Sequence, residues 1–397
     1  MMFEKRRDKK GRILRMGESQ RKDGRYRYKY MDAFGREQSV YSWRLVSTDK
    51  VPKGKRFCLS LREKEAQIQN DRVDGIDKKG AKMTLCQLYE KQNASRSNVK
   101  KSTVKCRRTL MNILQKDKLG ARSIDALKIS DVKEWVLRMK NNGYSYQTIS
   151  NHKRSLSAAF HMAIQDDYIR KNPFDFNIGD VLEDDRKTRE PLTEKQENML
   201  LTFLKNDKVY GKYYDAVVLL LRTGIRISEL CGLTVQDVDF KNRLIDVNHQ
   251  LLRNKEDGYY IDAPKTKSGK RKVPISDEAF TALKHAIAVR NHAKPLTIGG
   301  YSDFIFLNQK GYPMTGALYA SIMKKMVKKY NKIHENKLPP ISPHLLRHTF
   351  CTRLASRNMN PKSLQYIMGH SNINITLNLY VHASIELIKE ELKNLVS

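Results

Sequence analysis

Hydrophobic positions recur along this chain with two periods, and the change from one to the other outlines its elements. Near the start, Arg25-Tyr26-Arg27-Tyr28-Lys29-Tyr30 alternates strictly, as a strand with one buried face does. Its tyrosines are expected to face a small core and its cations the outside. Asp32-Ala33-Phe34-Gly35 is a turn signal, Gln38 to Trp43 reads as the return strand, and Gly11 to Arg15 as a candidate third. Ser60-Leu61-Arg62-Glu63 has the form of a capping box opening a helix that ends near Gly75. Residues 1–76 therefore predict a small α+β module, followed by a linker at Asp77-Lys78-Lys79-Gly80.

From Met83 the period lengthens to that of amphipathic helices. Leu85, Leu88 and Tyr89 begin one, Ser102 to Leu114 forms a second, Ser130 caps a third through Met139, and Ser145 opens a fourth that runs to Ile164. Trp135 and Phe160 fall on core positions, and Asn172-Pro173-Phe174 closes a helical domain over 83–176. The polar stretch 177–191 reads as a second linker. Thr193-Glu194-Lys195-Gln196 is another capping box and opens a third domain, 190–397, mostly helical with a small sheet.

In that third domain the apolar helix Leu219 to Leu230 is interrupted by Gly224 and then Arg226. Arg243–Val247, Tyr259–Ala263 and Arg271–Ile275 read as strands, the last two joined through Lys267-Ser268-Gly269. The role of 250–258 is open. Ser342 and Pro343 start a helix that places His344 and Arg347, three apart, on one face. A further helix from Pro361 to Met368 stops at Gly369, with His370 in the turn. Tyr380 follows, and then a stripe of Ile385, Ile388, Leu392 and Leu395.

Charge changes the picture more than composition does. The 397 residues carry 76 Lys and Arg against 43 Asp and Glu, a net +33, which favours a polyanionic partner such as nucleic acid. Five scattered cysteines, Cys58, Cys86, Cys106, Cys231 and Cys351, make no CxxC pair. Neither a zinc site nor a disulfide framework is expected, and a reducing cytoplasm fits. There is no apolar run of membrane-spanning length, and the basic start is not followed by an apolar segment.

A basic chain offering arginines, histidines and a tyrosine in this order points to phosphate chemistry with a tyrosine nucleophile. Each residue also has a plainer reading. Arg226 could form a buried ion pair with Glu229, a lone histidine is commonly structural, and Tyr380 could simply pack. His344 and His348 stand i and i+4 like zinc ligands, but Leu345 occupies the place of the glutamate that such helices carry, so no metal is expected. His348 and His382 read as structural or supporting.

Taken together, Arg226, His344-x-x-Arg347, Gly369-His370 and Tyr380 resemble, in order and spacing, the tyrosine recombinase (phage integrase) family. With its basic amino-terminal segment, the chain is most similar to the integrases of conjugative transposons, also called integrative and conjugative elements. The resemblance implies a mainly α protein in three parts: an arm-site-binding module, a helical core-binding clamp and a catalytic domain with a small antiparallel sheet. Arg25, Arg27 and Lys29 would face DNA phosphates, and Lys153 and Arg154 either touch phosphates or form a solvated face. A catalytic lysine is implied near the turn, best matched by Lys265, with Lys267 the rival.

The implied reaction is cutting and rejoining of double-stranded DNA through a 3′-phosphotyrosine, with neither cofactor nor metal. Arg226 and Arg347 would grip the phosphate, His344 and His370 assist, and cations near Tyr380 would lower its pKa. The implied assembly is a homo-tetramer that integrates and excises a mobile element through a Holliday junction, with an accessory directionality factor. The carboxy-terminal stripe would dock on a neighbouring protomer, or else on its own domain. A type IB topoisomerase, or a non-catalytic DNA-binding regulator of the same fold, are the alternatives.

Overall fold

The computed structural model describes residues 6–31, 37–73, 82–96, 99–186, 190–264, 267–290 and 296–380. The chain divides into two units, Met1–Lys187 and Thr188–Ser397.

In the first unit, β1 (Glu18–Gln20), β2 (Tyr26–Met31) and β3 (Glu37–Ser42) form an antiparallel sheet in that order. The alternation in β2 works as the pleat demands. Tyr26 is buried with Leu14, Leu45 and Leu61, and Tyr28 packs against them. Arg27 sits across from Ser19 and Tyr41, and Lys29 across from Ser39. The third strand is Glu18–Gln20, not Gly11 to Arg15. There the Asp8 carboxylate accepts the backbone N–H groups of Lys10 and Arg12 around Gly11 at φ +76°. That bends the segment into a turn with a single bridge, Arg7 to Ile13. α1 (Leu61–Val73) starts as expected: Ser60 N donates to Glu63 Oε2 at 2.8 Å and Glu63 N to Ser60 Oγ at 3.3 Å. The turn at 32–35 and the linker at 77–80 lie outside the described residues.

A second, larger core in this unit is built by α2 (Leu85–Ala94), α3 (Lys101–Lys116), α4 (Ile129–Asn141) and α5 (Tyr146–Gln165). Trp135 and Phe160 are fully buried and meet Phe174, with ring centroids 6.2 and 5.3 Å from it. Asn172 holds Phe174 there: its Oδ1 accepts Phe174 N, and its Nδ2 donates to Ser157. Ser145 caps α5 through Thr148 N. Ser130 does not cap α4. Asp131 reaches back to Lys128 N at 2.9 Å, because a carboxylate is the stronger acceptor at a helix start.

The second unit opens with α6 (Glu194–Asn206), capped by Thr193 with Gln196, and α7 (Tyr214–Thr223), buried from Ala216 to Leu221. α8 (Ile227–Gly232), β4 (Val238–Asp239), β5 (Leu244–Val247), β6 (Gln250–Asn254), β7 (Gly258–Asp262) and β8 (Arg271–Pro274) follow. Next come α9 (Asp277–Ala288), α10 (Gly316–Ile333), α11 (Pro343–Ser356), α12 (Pro361–Met368) and α13 (Ile373–Leu377). α7 runs through the core and packs against α9 and α11. Glu197 of α6 holds Arg353 of α11 at 2.7 Å and Arg222 of α7 at 2.7 Å.

The strand pairing differs from expectation. β7 pairs with β6, whose residues 250–254 had no assigned role, and β8 returns to β5. Gly258 at φ +69° closes the β6–β7 hairpin, with Leu252 across from Tyr260. β8 is then free to set Val273 beside Ile245, both fully buried. Burial of that apolar pair is the driving term. Among the described residues no helix is long and apolar enough to cross a membrane.

Candidate active site

α7 ends at Gly224, which is left-handed at φ +62°. A Cβ there would lie 2.3 Å from the Phe350 ring and 2.9 Å from Met368 Sδ, so only glycine lets α7, α11 and α12 approach. The turn makes Arg226 the N-cap of α8. Its backbone N donates to Glu229 Oε2 and its Nη1 to Glu229 Oε1, both at 2.8 Å. Nη2 donates to Gly369 O at 2.9 Å. The ion pair with Glu229 is thus real, yet the Arg226 side chain keeps 33% exposure.

Glu229 does not belong to Arg226 alone. Arg271 of β8, with a fully buried side chain, reaches Oε1 at 3.2 Å and Oε2 at 3.0 Å. Its remaining donors go to Ile367 O at 2.5 Å and Gly269 O at 2.9 Å. Burial pushes the Glu229 pKa up, but Arg271 and then Arg226 outweigh it and hold the carboxyl below its ordinary range.

Arg347 rises from α11 into the same region. The helix begins as its sequence predicts, with the Ser342 side chain accepting Leu345 N and Pro343 in the first turn. Arg347 is 5% exposed. Its Nη1 donates to Gly224 O at 2.5 Å and its Nη2 to Met368 O. No carboxylate among the described residues forms a salt bridge with it. Burial, then Arg226, lowers its pKa to about 9, so the guanidinium stays charged at neutral pH.

The carbonyls of Ile367, Met368 and Gly369 are thereby taken by three different arginines, Arg271, Arg347 and Arg226. These are the last carbonyls of α12, which lack intrahelical partners and carry the negative end of the helix dipole. Three guanidinium groups meet one carboxylate there, leaving a net positive site that suits an anion.

His370 follows Gly369, the left-handed cap of α12 at φ +60°. Its Nδ1 lies 3.0 Å from Thr376 Oγ1. Burial, then Arg347, Arg226 and Arg271, pushes its pKa down to about 4, so it is neutral at pH 7. His344 is exposed at the start of α11, and its charge is felt at His370. His348 is half-buried.

Tyr380 departs from expectation. Its hydroxyl donates to the Met359 carbonyl, and its ring packs on the cluster of Cys351, Ala355, Leu364 and Met368. Burial, then Cys351, raises its pKa. The phenol is therefore held on a backbone carbonyl.

Lys265, His382 and the stripe from Ile385 to Leu395 lie outside the described residues. Lys267 opens a short 3-10 turn, Lys267–Gly269. In the first unit, Arg25 pairs with Asp23 and lies over Tyr41 and Trp43, and Lys29 pairs with Glu37. Arg27 shares that outer face. Lys153 sets its ammonium 4.5 Å from the Phe176 ring centroid, whereas Arg154 is exposed. Sequence reasoning passed over Arg271. The available signal was its place two residues from Val273, on the buried face of β8.

Three family models match the chain: the DNA binding domain of tn916 integrase over residues 2–72, the phage integrase SAM-like domain over 84–180, and the phage integrase family over 190–386. The transposase from transposon Tn1545 of Streptococcus pneumoniae is 61% identical over 99% of this chain and 97% of its own length. The transposase from transposon Tn916 of Enterococcus faecalis is 60% identical over the same shares. A solved structure of the Tn1549 transposon integrase in complex with transposon right end DNA is 57% identical. It covers 79% of this chain and 100% of that one, with a TM-score of 0.76. Identity of this level over nearly the full length of both chains places this chain in the phage integrase family, as a tyrosine recombinase of the conjugative-transposon type.

Proposed function

We propose that this recombinase excises and integrates a mobile element by cutting and rejoining double-stranded DNA at the arginine site between α8, α11 and α12. The observation that carries the reading is the excess of guanidinium charge there. Arg226 and Arg347 now rest on backbone carbonyls, which a DNA phosphate can replace with stronger, charge-assisted bonds. Both would hold non-bridging oxygens and stabilise the charge that builds at phosphorus. His370 is neutral and its Nδ1 faces the Thr376 hydroxyl at 3.0 Å; in the tautomer that accepts from that hydroxyl, the proton sits on Nε2 and would be donated to the same phosphate.

Tyr380 must first leave the Met359 carbonyl. Its oxygen then attacks phosphorus, passing its proton to His344, while the bond from phosphorus to the 5′-oxygen breaks. The departing oxygen takes a proton from Lys265. The product is a 3′-phosphotyrosine with a free 5′-hydroxyl. The new phosphodiester keeps the bond energy, so religation to another strand is the reverse of the same step.

Residues 1–76 serve as the arm-binding part through Arg25, Arg27 and Lys29. Residues 83–176 clamp the core site, with Lys153 and Arg154 beside the duplex, and 190–397 carry the chemistry. Four protomers would exchange strands sequentially through a Holliday junction, with an accessory directionality factor. Solved complexes of the similar Tn1549 integrase hold transposon-end and circular intermediate DNA, which supports element ends as the substrate.

Tyr380→Phe removes only the attacking oxygen. Binding to a nicked suicide substrate should persist while the covalent adduct on a denaturing gel disappears. A surviving adduct removes Tyr380 from this role. A two-site recombination assay run beside supercoil relaxation shows whether strands are exchanged or merely relaxed.

A further inference from the structure

Glu229 is nearly fully buried and is the one carboxylate that pairs with the arginines gathered at the end of α12 among the described residues. Each of its oxygens serves two donors. Oε1 accepts Arg226 Nη1 and Arg271 Nη1, and Oε2 accepts Arg226 N and Arg271 Nη2. The two arginines are not equivalent. Arg271 is sealed from solvent, with its donors committed to Glu229, Gly269 O and Ile367 O. Arg226 stays one-third exposed and rests its outer nitrogen on a carbonyl.

With Arg226 as its sole partner, Glu229 would form a one-to-one buried pair. A buried carboxylate holds a single counter-ion tightly, since losing it leaves an uncompensated charge. A DNA phosphate would then compete with that carboxylate for Arg226. Arg271 removes the competition by supplying a second, permanent cation. Its contacts also tie α8 to the turn before β8 and to the end of α12.

We propose that Arg271 is a positioning residue for strand cleavage: by neutralising Glu229 from inside the fold, it leaves the charge of Arg226 available to the scissile phosphate. The proposal rests on the assignment of Arg226 to phosphate binding. Arg271 itself is too deep to touch DNA, so its effect falls on the cleavage step and not on site affinity.

The test uses the full chain on a nicked core duplex, reading the rate of covalent adduct formation at saturating protein and, separately, duplex affinity. Arg271→Gln deletes the neutralising charge and should slow adduct formation by roughly 100-fold, the scale of losing one transition-state donor, with affinity nearly unchanged. Adding Glu229→Gln to Arg271→Gln removes the carboxylate that captures Arg226, and should recover about tenfold. Arg271→Lys keeps the charge while losing the planar fork, and should stay within about tenfold of the parent.

Wild-type cleavage by Arg271→Gln overturns the proposal. So does a double variant no faster than Arg271→Gln alone, which makes Arg271 a packing residue, or an Arg271→Lys variant as slow as Arg271→Gln. Arg226→Lys, measured in parallel, separates the two levels. If it cleaves normally, the phosphate assignment of Arg226 fails. If it is slow while Arg271→Gln is not, only the role of Arg271 fails.

Discussion

Gly224→Ala tests whether the junction of α7, α11 and α12 sets the geometry of the arginine site. The added methyl carbon would sit 2.3 and 2.8 Å from two carbons of the Phe350 ring and 2.9 Å from Met368 Sδ. Holding alanine at φ +62° costs about 1–2 kcal/mol by itself. Relieving the overlap costs a further ~1–3 kcal/mol, so the total expected loss is roughly 2–5 kcal/mol. The Gly224 carbonyl also receives Arg347 Nη1 at 2.5 Å, and a displacement of about 1 Å at a catalytic group lowers rates on the order of 100-fold. Both tryptophans, Trp43 and Trp135, lie in the first unit, so no tryptophan of the second unit reports on this junction. Amide hydrogen exchange of α7 and α11 peptides does, beside adduct formation on a suicide substrate. Phe350→Leu removes the ring that is struck, and the double variant should show a favourable coupling of about 1–3 kcal/mol. Exchange protection within about 1 kcal/mol of the parent, or no coupling with Phe350→Leu, would refute the steric reasoning.

Other perturbations follow from the charged groups. The His370 pKa lies near 4 against an ordinary 6.5, so between these values the unfolded chain binds a proton that the folded chain does not. Stability is therefore lost as pH falls through that window. A phosphate on the arginines offsets their repulsion of the imidazolium, so DNA binding at pH 5.5 should take up protons. Calorimetry in buffers of different ionisation enthalpy should show that uptake, and His370→Gln should lack it. Glu65 has the opposite sign: burial and the neighbouring Glu18 push it up to about 7 from 4.5, so its module loses stability as pH rises through that range. Glu65→Gln should flatten the dependence in amide exchange of α1, corrected for intrinsic rates; an unchanged slope would count against a raised Glu65 pKa. Deleting residues 1–76 should abolish binding to arm-site duplexes, which weakens steeply with salt, and leave core-site cleavage intact. Lost core cleavage would contradict that division of labour.

Features carried by neighbours in the chain were legible without a structure. The tyrosines of β2 alternate inward because strand geometry allows little else. Ser60 with Glu63, Thr193 with Gln196, and Ser342 with Pro343 start helices because the side chain that satisfies each first turn lies within three residues of it. The spacing of His344 and Arg347 places both on one face of α11 by helical period alone. Where the start itself moved, the sequence pattern was insufficient: α4 begins at Ile129, ahead of Ser130, with Asp131 reaching back to Lys128 N.

Pairing between distant segments is a different matter, since several alternatives satisfy the same local pattern. The strand pattern of 259–263 fits β6 or β8 equally well, and burial of Val273 against Ile245 decides between them. Nothing within a few residues of Arg271 marks it as the partner of Glu229, which is brought to it by the closure of β8 on β5 and the approach of α8. The same holds for Tyr380. Its place in the order of motifs is visible in the sequence, but the turn of its hydroxyl to Met359 depends on the packing of α11, α12 and α13. Sequence therefore determines which residues are present and how short segments fold, because those energies are local. Which charge is shared, which is left over and which hydroxyl is held back are decided by burial among segments far apart in the chain, and exist only once those segments have packed.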